Sequence, residues 1–194
     1  MKGISHFIIE VKNPFKDTIE VGAVKLFVDK KISRDRASNR FGKIISLPVF
    51  GDETILKEGY EIIFDATILY QQIYKEGVQE SIHLVNKEKS WYKIESDLII
   101  LYRENESAAW KGYKDNLMVS FIKEESKVFS GILTGPAKEK LVKGKAIVKY
   151  NNDFLEEQGV SNGQEIFINP SCGIPFFFKN ETVYWIRSKD VLAV

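Results

Sequence analysis

The strongest constraint on the fold of this chain is an internal repeat. Four short apolar segments in the first half of the 194 residues have counterparts, in the same order, in the second half. The pairs are HFIIEV (6–11) with NLMVSF (116–121), FGKIIS (41–46) with KGKAIV (143–148), LKEGYEIIF (56–64) with VSNGQEIFI (160–168), and WYKIESDLII (91–100) with VYWIRSKDVLAV (183–194). Chance similarity does not keep segments in order, so the pattern predicts a tandem duplication. We place the first domain at residues 1–106 and the second at residues 107–194.

The repeated segments have the composition of β-strands. They are rich in Val, Ile, Phe and Tyr and are separated by Gly, Pro, Asn and Asp, which is typical of short strands joined by turns. Gly42 is matched with Gly144 and Gly59 with Gly163, and we expect all four glycines to lie at sharp strand corners. The sequence therefore predicts an all-β protein built from two tandem β-barrels.

The charge balance disfavours polyanionic partners. The chain carries 28 Lys and Arg against 27 Asp and Glu, a net charge of +1, whereas nucleic-acid binders usually present a strongly basic face. We therefore expect no nucleic acid. A rival interpretation, in which Tyr70, Tyr74 and Phe129 stack on single-stranded nucleic acid, is possible for a small barrel but is weakened by the near-neutral charge.

The sequence also indicates where the protein works. Cys172 is the only cysteine, which excludes an internal disulfide framework and fits a reducing compartment. The first residues lack the uninterrupted apolar run of a signal peptide, and no stretch approaches the roughly 18 apolar residues of a spanning helix. We expect a cytoplasmic protein without membrane contact.

Residues that could perform chemistry are few and scattered. His6 and His83 lie in apolar stretches without a second histidine or a cysteine at zinc spacing. Cys172 could act as a nucleophile only if a histidine came near it. No glycine-rich phosphate loop precedes a helix. The sequence therefore predicts no enzyme activity, no metal and no cofactor.

The second half of the chain resembles the GroES co-chaperonins, which cap the chaperonin ring. NLMVSF resembles the opening strand of that family, SGILTG resembles its GGIVLTG loop, and KGKAIV resembles its RGEVLAV strand. VSNGQEIFI and VYWIRSKDVLAV are similar to the family's VKVGDKVLF and closing YLILRESDILAV. The resemblance covers residues 115–194. It implies two GroES-like barrels, a homo-oligomeric ring, and a chaperonin ring as partner.

The resemblance also implies which residues bind. The loop at 126–143 is too rich in Ser, Lys, Gly and Pro to bury its own apolar residues, so we expect it to order on binding a partner. Its chaperonin-binding residues would be Gly131, Ile132, Leu133 and Thr134.

The first half of the chain follows the family pattern less closely. VGAVKLF (21–27) occupies the position of the loop motif, which implies a second, divergent contact formed by Val24, Lys25 and Leu26. Lys25 stands where the family motif has an apolar residue. The first half is also longer, with an extra polar stretch at 29–40 and added residues at 70–90.

The expected function is therefore that of a co-chaperonin, which assists ATP-dependent folding by binding rather than by catalysis. The alternative is a viral or cellular structural or adaptor β-barrel protein that has lost chaperonin binding.

Overall fold

The computed structural model divides the chain into two compact units built mainly of strands, Met1–Tyr113 and Lys114–Val194. The described residues are 3–15, 18–21, 24–27, 38–50, 54–75, 78–123, 141–178 and 181–194. Within these ranges the helical elements are two short α-helices and two single turns of 3₁₀ helix. The prediction of an all-β class is confirmed.

The first unit contains one large sheet and two hairpins. Its elements are β1 (Phe7–Glu10), β2 (Thr18–Val21), β3 (Val24–Phe27), β4 (Phe41–Ser46), β5 (Glu61–Phe64), α1 (Thr67–Tyr70), β6 (Gln72–Lys75), β7 (Val78–Ser81), β8 (Leu84–Asn86), β9 (Trp91–Ile94), β10 (Ile99–Arg103) and β11 (Lys111–Gly112). The large sheet has the strand order β11-β10-β5-β4-β1-β9-β8, while β2 pairs with β3 and β6 with β7. The unit extends beyond residue 106, where the sequence placed its end, because β11 pairs with β10.

The second unit contains a single sheet of six strands. Its elements are β12 (Asn116–Lys123), β13 (Leu141–Tyr150), α2 (Asp153–Glu157), β14 (Glu165–Ile168), β15 (Ile174–Phe178), β16 (Glu181–Arg187) and β17 (Val191–Ala193). The strand order is β15-β16-β12-β13-β14-β17. The buried Asn152 begins α2 by accepting a hydrogen bond from the Leu155 amide, which satisfies one of the free N–H groups of the first turn.

The two sheets have the same topology. β10-β5-β4-β1-β9 of the first unit corresponds, strand by strand, to β17-β14-β13-β12-β16 of the second, and β8 and β15 occupy the same outer position. Both units also place a turn of 3₁₀ helix, at Ser96–Leu98 and Ser188–Asp190, before the last shared strand.

The irregularities of the two sheets correspond as well. A register shift between Ile8 and Ile9 of β1 has its counterpart between Met118 and Val119 of β12. A second shared register shift lies between β5 and β10 in the first unit and between the equivalent β14 and β17 in the second. Because such bulges disrupt only one point of a ladder, their recurrence supports duplication more strongly than strand order alone.

The strand pairing corrects one detail of the sequence comparison. Phe41 lies opposite Ile63, and the residue opposite the equivalent Phe167 is Lys145. FGKIIS (41–46) therefore corresponds to KAIVKY (145–150), and the match to KGKAIV was wrong by two residues. A shift of two keeps the same side chains on the same face, so the hydrophobic pattern could not reveal the error.

After this correction, one of the two glycine matches holds and the other does not. Gly42 and Gly144 are not equivalent, and of the two only Gly144 has a positive φ, at 75°. Gly59 and Gly163 do correspond, with φ of 91° and 87°. Each donates its amide proton to the equivalent strand, to the carbonyls of Ile44 and Val148. Only glycine adopts this backbone conformation without strain.

Each unit has its own hydrophobic core on one face of its sheet. The first core contains Ile9, Ile44, Ile62, Phe64, Ile94 and Ile99. The equivalent positions of the second unit, Val119, Val148, Ile166, Ile168, Ile186 and Val191, pack in its core or against it.

Closed barrels were predicted, and the hydrogen-bonded ladders do not show them. Within the described residues each large sheet has two distinct ends, β11 and β8 in the first unit and β15 and β17 in the second. The sheets are therefore open. The sequence pattern could not distinguish these cases, because alternating apolar strands serve a curved open sheet as well as a closed one.

Candidate binding site

The predicted binding residues fall on the same connection of each repeat. This connection joins the first strand to the second, β1 to β4 in the first unit and β12 to β13 in the second. The two strands that it joins pair antiparallel in both units, so the connection returns to the place where it leaves the sheet.

In the second unit, the sheet delimits the predicted loop. Lys123 at the end of β12 pairs with Leu141 at the beginning of β13. The candidate residues Gly131, Ile132, Leu133 and Thr134 lie between them, outside the described residues. The first residues of β13 belong to the sheet, although the sequence assigned them to the loop.

In the first unit, the candidate residues belong to a β-hairpin. Val24, Lys25 and Leu26 lie on β3, whose backbone pairs with β2 from Val24 opposite Val21 to Phe27 opposite Thr18. The side chains of residues 24–26 are not among those that the structure describes, whereas the Phe27 side chain is 90% exposed. The hairpin therefore exposes the Phe27 ring to solvent.

Cys172 does not have the properties of an activated nucleophile. It lines a groove of about 360 Å³ at one end of the second unit, together with Asn169, Trp185, Arg187 and Asp190. Burial and the nearby Asp190 carboxylate raise the pKa of the Cys172 thiol, whereas reactive cysteines have a lowered pKa.

The two histidines lie near each other in the first unit. The His6 ring contacts Ser5 Oγ at 2.8 Å and the Glu95 carboxylate at 3.6 Å, and the His83 ring contacts Gln71 Oε1 at 2.9 Å. Burial and the Lys93 ammonium lower the pKa of His83. Among the described residues, no three side chains of the kinds that ligate metals come together.

Of the three aromatic candidates for base stacking, only Tyr70 has a side chain within the described residues. Tyr70 ends α1 and is half-buried, while Phe129 and the side chain of Tyr74 are outside the described residues. In the described part of the chain, no helix has the length and apolar character needed to cross a membrane.

Sequence reasoning missed the ends of the two sheets. In the first unit, β11 pairs with the outer edge of β10, and neighbouring Trp110 is 4% exposed. In the second unit, β17 is equivalent to β10 and is the last strand of its sheet. β11 has only two residues, which is too short for an alternating strand pattern. The neighbouring Trp110 was the one sequence signal of a packed segment.

Comparison of the sequence with protein-family models and with curated proteins yields no match.

Proposed function

We propose that this chain is a double-domain co-chaperonin, with two GroES-like β-sheet domains in tandem that cap a chaperonin ring. The observation that supports the proposal best is the shared topology of the two units, with the predicted binding segments on the same connection of each. A chain built in this way presents two equivalent segments, as a lid that contacts several subunits of a ring requires.

The family-like motifs of the second unit also fit its strands. NLMVSF lies in β12, KGKAIV in β13 and EIFI in β14. The closing motif spans β16, the 3₁₀ turn and β17. The SGILTG motif falls between β12 and β13, at the connection where the resemblance requires a loop.

Two apolar side chains suffice for a weak contact. Burial of Ile132 and Leu133 would contribute about 1.5–3 kcal/mol each, against an ordering free energy of about 1–2 kcal/mol for each fixed residue. One loop therefore binds weakly. Several loops that engage one ring bind much more tightly, because later contacts form at high effective concentration.

The first unit forms the weaker contact in this proposal. Its candidate segment is a paired hairpin, and Lys25 would bring a charge into an apolar groove, which is unfavourable. The second unit therefore supplies the principal anchor, and the first contributes to avidity.

The test compares two double variants in co-sedimentation with a chaperonin ring and ATP. Ile132→Asp with Leu133→Asp should abolish co-sedimentation and leave thermal unfolding unchanged, whereas Val24→Asp with Leu26→Asp should only weaken it. Failure of the wild-type chain to bind would favour the alternative, a structural or adaptor protein that has lost the chaperonin. Failure of only the 24/26 variant would assign the principal contact to the first unit.

A further inference from the structure

The turn ahead of β14 contains the one asparagine of the chain that is followed by glycine, Asn162–Gly163. The Gln164 amide donates to the Ser161 carbonyl at 3.2 Å and closes the turn. The φ of 87° at Gly163 is typical of the third position of a type II turn. Asn162 itself is exposed. The side-chain amide of this dipeptide is therefore accessible to water.

An asparagine ahead of glycine can lose its side-chain amide to attack by the next backbone nitrogen. The Gly163 nitrogen gives up its proton to solvent and forms a bond to Asn162 Cγ, while the Cγ–Nδ2 bond breaks and ammonia leaves with a proton. Water then opens the cyclic imide. Opening at Cγ leaves an aspartate, and opening at the backbone carbonyl leaves an isoaspartate. Glycine favours ring closure because it has no Cβ to obstruct the approach.

Both reacting groups are held by hydrogen bonds in the folded turn. The Gly163 amide donates to the Val148 carbonyl of β13 at 2.7 Å, so the proton that must leave is already bonded. Asn162 Oδ1 accepts a hydrogen bond from the Asn151 amide at 2.9 Å, which restrains rotation of the carboxamide. The reaction therefore needs the Gly163 amide to separate from Val148, and this separation opens the turn from β13.

The first unit contains the equivalent turn without the reactive residue. Gly59 donates to the Ile44 carbonyl at 2.8 Å, in the same way as Gly163 donates to Val148. The residue ahead of Gly59 is Glu58, whose side chain is a carboxylate and has no ammonia to release. The turn itself does not require an asparagine, so this reactivity belongs to the second unit alone.

We propose that Asn162 is a deamidation site that the folded turn keeps unreactive, so that its conversion depends on how often the turn opens. Turns at the ends of strands open locally at a lower free energy than the whole domain. Deamidation is slow compared with this opening and closing, so its rate follows the fraction of molecules in which the turn is open. The inference does not require chaperonin binding.

The two products differ in what they leave of the turn. An aspartate keeps the backbone intact, and its carboxylate still accepts from the Asn151 amide. An isoaspartate adds a methylene to the backbone ahead of Gly163, which displaces both the Gly163 amide and the Gln164 carbonyl from Val148. The Val148 amide donates to that Gln164 carbonyl at 3.0 Å, and Val148 is fully buried. Its peptide groups would lose their partners, which is unfavourable.

The test follows conversion at Asn162 at neutral pH by peptide mapping that separates aspartate from isoaspartate. The samples are the folded full chain, the full chain unfolded in urea, and a synthetic peptide of residues 158–168 with and without urea. The folded chain should convert at least about tenfold more slowly than the peptide, because its turn must first open. The unfolded chain should convert as fast as the peptide in urea.

The stability of the products provides a second measurement. Chains that carry isoaspartate should unfold at a lower urea concentration than the wild type. The matched control is Asn162→Asp, which reproduces the aspartate product and should unfold like the wild type. Three results would overturn the inference: equal rates for the folded chain and the peptide, no conversion at Asn162 in urea, or wild-type stability of the isoaspartate chain.

Discussion

The two units share one topology and differ at the edge of their last common strand. β10 carries β11 on its outer side and has three consecutive residues, Ile99 to Leu101, without exposure. β17 ends its sheet with Leu192 and Ala193 in solvent. The shared topology therefore does not determine whether this edge is closed. In the first unit, β11 closes it.

A second difference concerns the connections between equivalent strands. Between β5 and β8 the first unit contains α1 and the β6–β7 hairpin, whereas a short turn joins β14 to β15 in the second unit. Insertions at surface connections change a sheet little, because they leave its strand pairing intact. The cores of the two units therefore correspond although their lengths do not.

The largest expected effect comes from truncating one equivalent pair. Ile100→Ala should lower the free energy of unfolding by about 2–5 kcal/mol, because the side chain is fully buried. Leu192→Ala, at the same position of the second repeat, should change it by less than about 0.5 kcal/mol in the monomer. Urea unfolding measures both. Equal losses would mean that β17 is covered within its own chain.

A smaller effect is expected at an equivalent pair of glutamates. Glu61 accepts a hydrogen bond from Arg103 Nε at 2.5 Å, and the two side chains are 25% and 19% exposed. Glu165 pairs with the Lys145 ammonium at 2.6 Å in a more exposed setting. Glu61→Gln should therefore destabilise by about 1–3 kcal/mol.

Glu165→Gln is the matched control and should destabilise by at most about 1 kcal/mol. Salt should weaken the second pair more than the first, because solvent ions screen exposed charges more effectively. Urea unfolding at two salt concentrations measures both effects. A larger loss for Glu165→Gln would show that the second unit depends more on its ion pair.

The smallest effect is a pH dependence confined to the first unit, which contains both histidines of the chain. The pKa of His83 is lowered from 6.5 by burial and by Lys93, with Glu95 opposing them. The unfolded chain therefore binds this proton more readily than the folded one, and stability falls as pH drops below 6.5. His83→Gln should flatten this decline in thermal unfolding. An unchanged decline would assign it to other groups.

Much of the fold could be predicted from the sequence, because strand composition and repeated order are local signals. The class, the duplication and the strand segments followed from them. The position of the second strand within the repeat was wrong by two residues, since the apolar pattern repeats with that same period. The open ends of the sheets depend on pairing between distant residues, which no local pattern contains.

The candidate site, like the fold, could be predicted only in part from local sequence patterns. The order of the motifs predicted that the candidate segments occupy equivalent connections, and each candidate segment does lie between the first two paired strands of its repeat, β1 and β4 or β12 and β13. The pairing of Val24 with Val21 in a hairpin was not foreseen, because Gly22 and Ala23 between them were interpreted as part of a loop motif. The contribution of Trp110 and β11 at the β10 edge was missed for want of any strand pattern.

Amide hydrogen exchange, resolved to single residues, tests the difference between β10 and β17 most directly. At low protein concentration we expect slow exchange at Tyr102, which pairs with Lys111 of β11, and fast exchange at the equivalent Val194, beside which the described residues place no further strand. Exchange of Val194 as slow as that of Tyr102 would contradict the difference between the two edges.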